Sequence, residues 1–407
     1  MAQCFRQPES TADLLAALEA GSHDRVGEDL LSIVPAGIPA NVTQAYEYQP
    51  LSNDRKQIRL IKLLPGERGD FIRCEILAVR LDAVPPYEAL SYVWGDPTQT
   101  VKICVHHRVF EVTKNLYSAL LRLRQTKTER TLWIDAIAIN QADFNEKCHQ
   151  IALMRNIYKG ASTVVMWLGE PKIVEMPLKS GSPKEPAKQS LGLKSPLAES
   201  SVKSHSEISS PAEGNASSSS KQGAVTVQAW IKSAQELRGI LTSPYWERAW
   251  ILQEIVLART PIVYYGSHIM PFNELLRAGQ AFELHYTICC SKWGEKAYRN
   301  NHTYWTELYH GFSNTASNPP LPALSLSRVM SSGIAKRQAT DARDLVYGVL
   351  GLVQGEIHIE ADYTLSVAEV FALATVHIIQ EDKNLSVLAL NDLGRCSKHK
   401  LPSWVPD

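Results

Sequence analysis

Two carboxylates and one turn are the residues of this chain whose types and spacing best suit them to act on a ligand. Asp135 lies within the apolar run Leu132 to Ile139, where a carboxylate without a partner is costly to bury. It therefore needs a partner and is expected to be little exposed. Arg155, Arg248 and the backbone amides near Asn140 and Gln141 are the candidates, and such a buried, partnered acid serves either a structural ion pair or catalysis. Glu254 follows Arg248 at the flank of an apolar helix face made by Trp250, Ile251 and Ile255. Read by itself, it is a helix-surface carboxylate near Arg248, Arg259 or Lys232. Ser91, Trp94, Gly95 and Asp96 end a strand in a turn, and turns at the C-terminal ends of strands in open α/β sheets line ligand crevices. The alternative for that turn is a tryptophan packed on the sheet edge above a Gly-Asp-Pro bend.

Other chemistries lack their residues. The chain has no G-x-S-x-G, H-E-x-x-H, phosphate-binding Walker loop or G-x-G-x-x-G. His106 and His107 follow Cys104 with no second ligand pair in sight, so no metal site is expected and the two histidines read as a hairpin tip. Lys plus Arg and Asp plus Glu both total 42, which removes the basic excess that drives binding to nucleic acid or anionic lipid. Seven cysteines without a C-x-x-C pair suit a reduced, cytoplasmic protein better than a disulfide framework. The longest apolar stretches fall far short of the ~20 residues of a bilayer span, and the first ten residues have no apolar leader core.

The elements that position these residues follow from periodicity. Alternating apolar residues over 57 to 64, 71 to 79 and 101 to 112 predict strands and an N-terminal β-hairpin elaboration. Leu116, Leu120 and Leu123 mark a helix capped by Thr113 or Asn115. A buried strand over 132 to 137 then leads to Asp143 and Glu146, which predict a capping box for a helix whose inner stripe is Ile151, Met154 and Tyr158. Strands over 163 to 168 and 261 to 265, and helices over 225 to 241, 248 to 258, 273 to 284 and 366 to 380, complete the pattern. The expected fold is α/β, with a central, mostly parallel sheet flanked by helices. Residues 1 to 47 are expected to be an appendage. The Ser-, Lys- and Pro-rich stretch from about 171 to 223 is expected to be a disordered insertion.

Three tryptophan-containing blocks are ordered along the chain, YEALSYVWGD (87 to 96), LWIDAIAINQ (132 to 141) and YWERAWILQEIVLA (245 to 258), followed by DARDLVYGVLGL (341 to 352) and LPSWVPD (401 to 407). With EKCHQIALMRNIYKGASTVVMWLG (146 to 169) between the second and third, this series resembles the fungal heterokaryon-incompatibility (HET) domain from about residue 48 to the end, with a core over 87 to 258 and a C-terminal elaboration over 259 to 407. HET domains usually carry Cys where this chain has Ala138, which excludes a thiol nucleophile there. The HET domain is in turn similar to TIR domains, with their flavodoxin-like core, and Trp250 to Glu254 matches their W-x-x-x-E element. The resemblance implies fungal non-self recognition and programmed cell death, with protein partners and possible self-association. It also implies either a non-catalytic interaction module or an NAD glycohydrolase. In the latter, NAD is a substrate rather than a cofactor, Glu254 is catalytic, and Ser91, Trp94, Gly95, Asp96, Asp135 and Trp250 bind substrate.

Overall fold

A computed structural model describes residues 39, 42–52, 56–171, 239–240, 243–277, 325–331, 337–353, 359–390 and 399–406. The expected insertion beyond Pro171 and most of the helix expected over 225 to 241 lie outside the described residues, as do nearly all of residues 1 to 41.

Among the described residues the strands are β1 (Gln57–Leu63), β2 (Arg73–Arg80), β3 (Glu88–Tyr92), β4 (Thr100–Val105), β5 (Arg108–Thr113), β6 (Arg130–Trp133), β7 (Thr163–Trp167), β8 (Pro261–Tyr265) and β9 (His268–Pro271). They form a single sheet in the order β5-β4-β2-β1-β6-β3-β7-β8-β9. The sheet is mixed, which corrects the expectation of a mostly parallel one. β1 runs antiparallel to both β2 and β6, as do β4 to β5 and β8 to β9. Parallel pairing is confined to the run β6-β3-β7-β8 and a two-residue contact between β2 and β4. The reason is connection length: β4 meets β5 through His106 and His107, and β8 meets β9 through Gly266 and Ser267. A two-residue turn can join only antiparallel neighbours, whereas parallel neighbours need a long crossover.

The four parallel strands form the centre. β3 (EALSY) and β7 (TVVMW) are buried along almost their whole length, as expected of strands covered on both faces. β2 is largely exposed, with Cys74 as its one fully buried residue. Residues 44 to 46 extend the sheet beyond β5, exchanging hydrogen bonds with Val109 of 2.8 Å in both directions. At the β4–β5 turn both His106 (φ 48°) and His107 (φ 60°) adopt left-handed backbone, the conformation a two-residue hairpin matched to strand twist requires. The exposed His107→Gly change is expected to raise stability by about 0.5–1 kcal/mol by removing the Cβ penalty; a lower urea midpoint would contradict this.

Helix α1 (Lys114–Leu123) starts where Thr113 accepts a hydrogen bond from the Leu116 amide, and buries Leu116, Leu120 and Leu123 as its spacing predicts. A single helical turn, α2 (Asp135–Ala138), follows β6, and α3 (Phe144–Gly160) crosses from there to β7. Asp143 caps α3, accepting from the Glu146 amide. The expected capping box does not close, because the Glu146 carboxylate turns instead to the Arg59 guanidinium (2.6 and 2.9 Å) and the Asn140 amide (2.7 Å). Arg59 also donates to the carbonyls of Ala138 and Gln49 and lies over the Tyr48 ring. This buried knot holds α2 against β1.

After the 3₁₀ turn at 244–247, α4 (Ile251–Val256) leads into β8. The C-terminal helices α5 (Leu326–Ser331), α6 (Asp344–Leu350) and α7 (Val367–Asp382) form a second apolar cluster, to which Trp250, Leu252 and Val256 contribute. Ser366 and Glu369 close a complete capping box at the start of α7. In the DARDLVYGVLGL block, Arg343 binds both oxygens of Asp341 and the carbonyls of Tyr363 and Leu365, so this block tethers the segment before α7. No helix among the described residues is long and apolar enough to cross a membrane.

Candidate functional site

The first, second and third sequence blocks meet at the C-terminal ends of β6 and β3, neighbours in the parallel part of the sheet. β3 supplies Ser91 and Tyr92, the turn after it supplies Trp94, and Asp135 opens α2 just beyond β6. Tyr245 and Arg248 come from the 3₁₀ turn and its end, Glu254 from α4, and Tyr158 from α3.

Ser91 is the hinge of the cluster. It is 1% exposed, and its hydroxyl donates to Glu254 Oε2 while lying 2.6 Å from the Tyr245 hydroxyl. Because the one serine proton goes to the carboxylate, Tyr245 must be the donor to Ser91. A directed chain thus runs from Tyr245 through Ser91 to Glu254. Arg248 Nη1 approaches the same carboxylate oxygen at 3.5 Å. The Tyr158 hydroxyl donates to the Leu90 carbonyl at 3.2 Å and lies beside Glu254.

Glu254 is 1% exposed, so the surface position its bare sequence suggests is corrected. The short α4 presses one side against the sheet and the other against α6, leaving no solvent face at that position. Asp135 is half-buried and thus more open than expected. Its Oδ2 accepts from Trp94 Nε1 at 2.7 Å and its Oδ1 from the Ala136 amide at 2.7 Å. Arg155, one of its candidate partners, instead donates to the carbonyls of Gly351 and Val353. Arg248 is the cation beside both Asp135 and Glu254.

Electrostatics follow from that arrangement. Burial pushes the Glu254 and Asp135 carboxyls above their ordinary pKa values, and Arg248 offsets this only in part. Burial works against the Arg248 cation, yet Glu254 and Asp135 together hold its pKa above the usual arginine value. Tyr92 and Tyr158 are pushed well up by burial and stay neutral. A carboxylate whose folded pKa is raised binds protons more tightly folded than unfolded. Its contribution to stability is therefore present at low pH and lost as pH rises from the unfolded value, near 4.5 for Glu254, through the folded one. Urea midpoints of wild type and Glu254→Gln are accordingly expected to diverge in the variant's favour as pH rises above 4.5; a difference constant with pH would contradict this.

The other sequence-predicted residues lie around or away from this cluster. Gly95 has φ 82° and is packed against Asn115, whose Cβ would lie 3.3 Å from an added one. Asn115 in turn donates to the Val93 carbonyl and accepts from Trp167 Nε1, tying the ends of β3 and β7 together. Asp96 accepts from the Thr98 amide and hydroxyl and from Gln99, so its carboxylate is used within its own turn. Trp250 turns away from Ser91, against Gly348 of α6 and beside Asp344. Ala138 is buried, and its carbonyl is held by Arg59. Sequence reasoning missed Tyr245, Tyr158 and Tyr92 as members of the cluster. All three stand within or next to the tryptophan blocks, and an aromatic hydroxyl in an otherwise apolar run needing a polar partner was the available signal. Among the described residues no group of three or more His, Cys, Asp or Glu could hold a metal ion.

Residues 87–254 match the family model for Heterokaryon incompatibility protein (HET). The chain is 28% identical over 412 residues to heterokaryon incompatibility protein 6, OR allele, of Neurospora crassa. That alignment covers 89% of this chain but only 59% of the relative's length. No solved structure matches the chain. The matched span begins at the head of β3 and ends on Glu254, taking in every member of the cluster, so it is the part of the chain holding this cluster that is similar to the heterokaryon incompatibility (HET) family.

Proposed function

We propose that this chain acts in heterokaryon incompatibility, as non-self recognition leading to programmed cell death, and that its HET domain cleaves the nicotinamide–ribose bond of NAD. The observation that carries the reading is the buried contact of Ser91 with Glu254 at the end of β3, with Arg248 and Asp135 alongside. Breaking that N-glycosidic bond develops positive charge on the ribose. A carboxylate held by fixed donors stabilises such an oxocarbenium-like state without reorganising. The pyridinium nitrogen takes the bonding pair, so nicotinamide leaves neutral and needs no strong general acid. Water adds to the ribose carbon, and its proton is released with ADP-ribose. The TIR-like relationship supports the same assignment by analogy of one motif, and the family match and the Neurospora crassa relative's name support the biological role.

A second reading, a non-catalytic interaction module that recruits protein partners, is favoured by the 1% exposure of Glu254. In that case the Ser91, Tyr245 and Arg248 contacts only brace the domain. Expression in fungal cells separates the two readings. The enzymatic reading expects NAD loss and growth arrest with wild type and neither with Glu254→Gln at equal protein level. Growth arrest with steady NAD in both would leave the interaction module standing.

A further inference from the structure

The Glu254 carboxyl has two hydroxyl donors within reach. Ser91 of β3 gives its proton to Oε2, and Tyr158 of α3 reaches the same carboxyl with its own hydroxyl. Arg248 and Asp135 face it from the end of the 3₁₀ turn and from α2, the cation favouring its charged form and the carboxylate opposing it. On the other side of α4, Gly348 of α6 and Gly351 meet Trp250 and Gln253. Tyr158 is 1% exposed, and its ring stands edge-on to Trp133 with centroids 5.5 Å apart, so the hydroxyl is held at one place. Burial keeps that hydroxyl protonated, and it has one proton for two acceptors. The first is the Leu90 carbonyl at 3.2 Å, long for an O–H donor. The second is Glu254. A hydrogen bond to an ionised acceptor is roughly twice as strong as one to a neutral carbonyl, so the charge on Glu254 decides which acceptor takes the proton.

We propose that Tyr158 is a positioning residue for Glu254, its hydroxyl turning from the Leu90 carbonyl to the carboxylate when Glu254 loses its proton and so favouring the ionised form. Ser91, by contrast, is already fixed between Tyr245 and Glu254. The role deepens the NAD reading and rests on it for its catalytic consequence. The coupling of Tyr158 to Glu254 belongs to the fold and is measurable without turnover.

Losing a donor to the charged form raises the pKa of a carboxyl. Tyr158→Phe keeps the ring and its contact with Trp133, and is expected to move the rise of NAD cleavage up by about one pH unit. The loss of rate is then large at acid pH and small at alkaline pH, whereas a merely structural tyrosine would lower the rate equally across the profile. Urea unfolding gives the second readout. A raised folded pKa costs stability as pH climbs, and a pKa raised further costs more. The deficit of Tyr158→Phe against wild type is therefore expected to widen once pH passes the folded value of the wild-type carboxyl, above 4.5. Between Glu254→Gln and the Tyr158→Phe, Glu254→Gln double variant it is expected to stay constant. Should Tyr158→Phe fail to fold, 3-fluorotyrosine placed at position 158, a stronger donor, decides the matter on the same two readouts, with both shifts expected in the opposite direction. A deficit that does not change with pH, or one that widens equally in the Glu254→Gln background, overturns the coupling. A pH-dependent deficit that needs Glu254, in a chain that leaves NAD intact, would sink the hydrolase and keep the coupling; NAD cleavage with an unmoved profile and a flat deficit would do the reverse.

Discussion

Glu146→Ala is expected to lower the unfolding free energy by about 3–5 kcal/mol, the usual cost of removing one partner from a buried ion pair. The size follows from what the change strands. Arg59 is 2% exposed, and among the described residues Glu146 supplies its carboxylate partner, bound through both oxygens. Without it the guanidinium keeps the Ala138 and Gln49 carbonyls and the Tyr48 ring, which hydrogen-bond the cation but do not neutralise it. The Asn140 amide loses its acceptor at the same time. Because Arg59 holds the C-terminal end of α2, whose first residue is Asp135, the loss is expected to loosen the site as well as the fold. The double change Arg59→Met with Glu146→Leu is expected to cost less than Glu146→Ala alone, since it leaves no unpaired buried charge. Urea unfolding checks both, and a Glu146→Ala midpoint equal to wild type would show that the cation is hydrated rather than buried.

Glu254→Gln is expected to reduce NAD cleavage by about a hundredfold or more, equivalent to roughly 3 kcal/mol of lost electrostatic stabilisation. The amide keeps the volume and still accepts from Ser91, so folding is retained. On the proposed reading, what disappears is the full negative charge that stabilises the developing oxocarbenium. On that reading Glu254 acts when ionised, and because burial raises its pKa, cleavage is expected to rise with pH through a value above its ordinary one. Arg259→Ala, just beyond α4, controls for general damage, because it leaves the Ser91–Glu254 contact untouched.

Much of this arrangement is legible in the sequence. Most strands and α1 follow from alternation and from a Thr113 cap; β8 falls on the residues read for it, and the His106–His107 tip is where its polar pair stands. The strand read over 132 to 137 is a correction: it ends at Trp133, and Asp135–Ala138 is helical. The mixed sheet was not legible, because periodicity reports which side chains are buried and not the direction of the neighbouring strand. β1 reads the same whether it runs with or against β6. Glu146 shows a similar limit. Its spacing from Asp143 predicts a capping box, but Arg59, 87 residues away, offers a charged partner that the local amide cannot match. Glu254 is the clearest case. Its local sequence gives a flank position on an amphipathic helix, and only the packing of α4 between sheet and α6 closes that flank. Tyr245 and Tyr158 stayed hidden because each looks like core until the hydroxyl's partner, 154 and 68 residues away, is known.

The most direct test is nicotinamide release from NAD by the purified chain, wild type beside Glu254→Gln, across pH. The expected result is release by wild type that increases with pH and a loss of about a hundredfold in the variant at every pH, with both proteins showing cooperative unfolding. Release at equal rates from the two proteins, or none from either while folded and concentrated, would contradict a catalytic Glu254 and reduce the buried Tyr245–Ser91–Glu254 chain to a brace for α4.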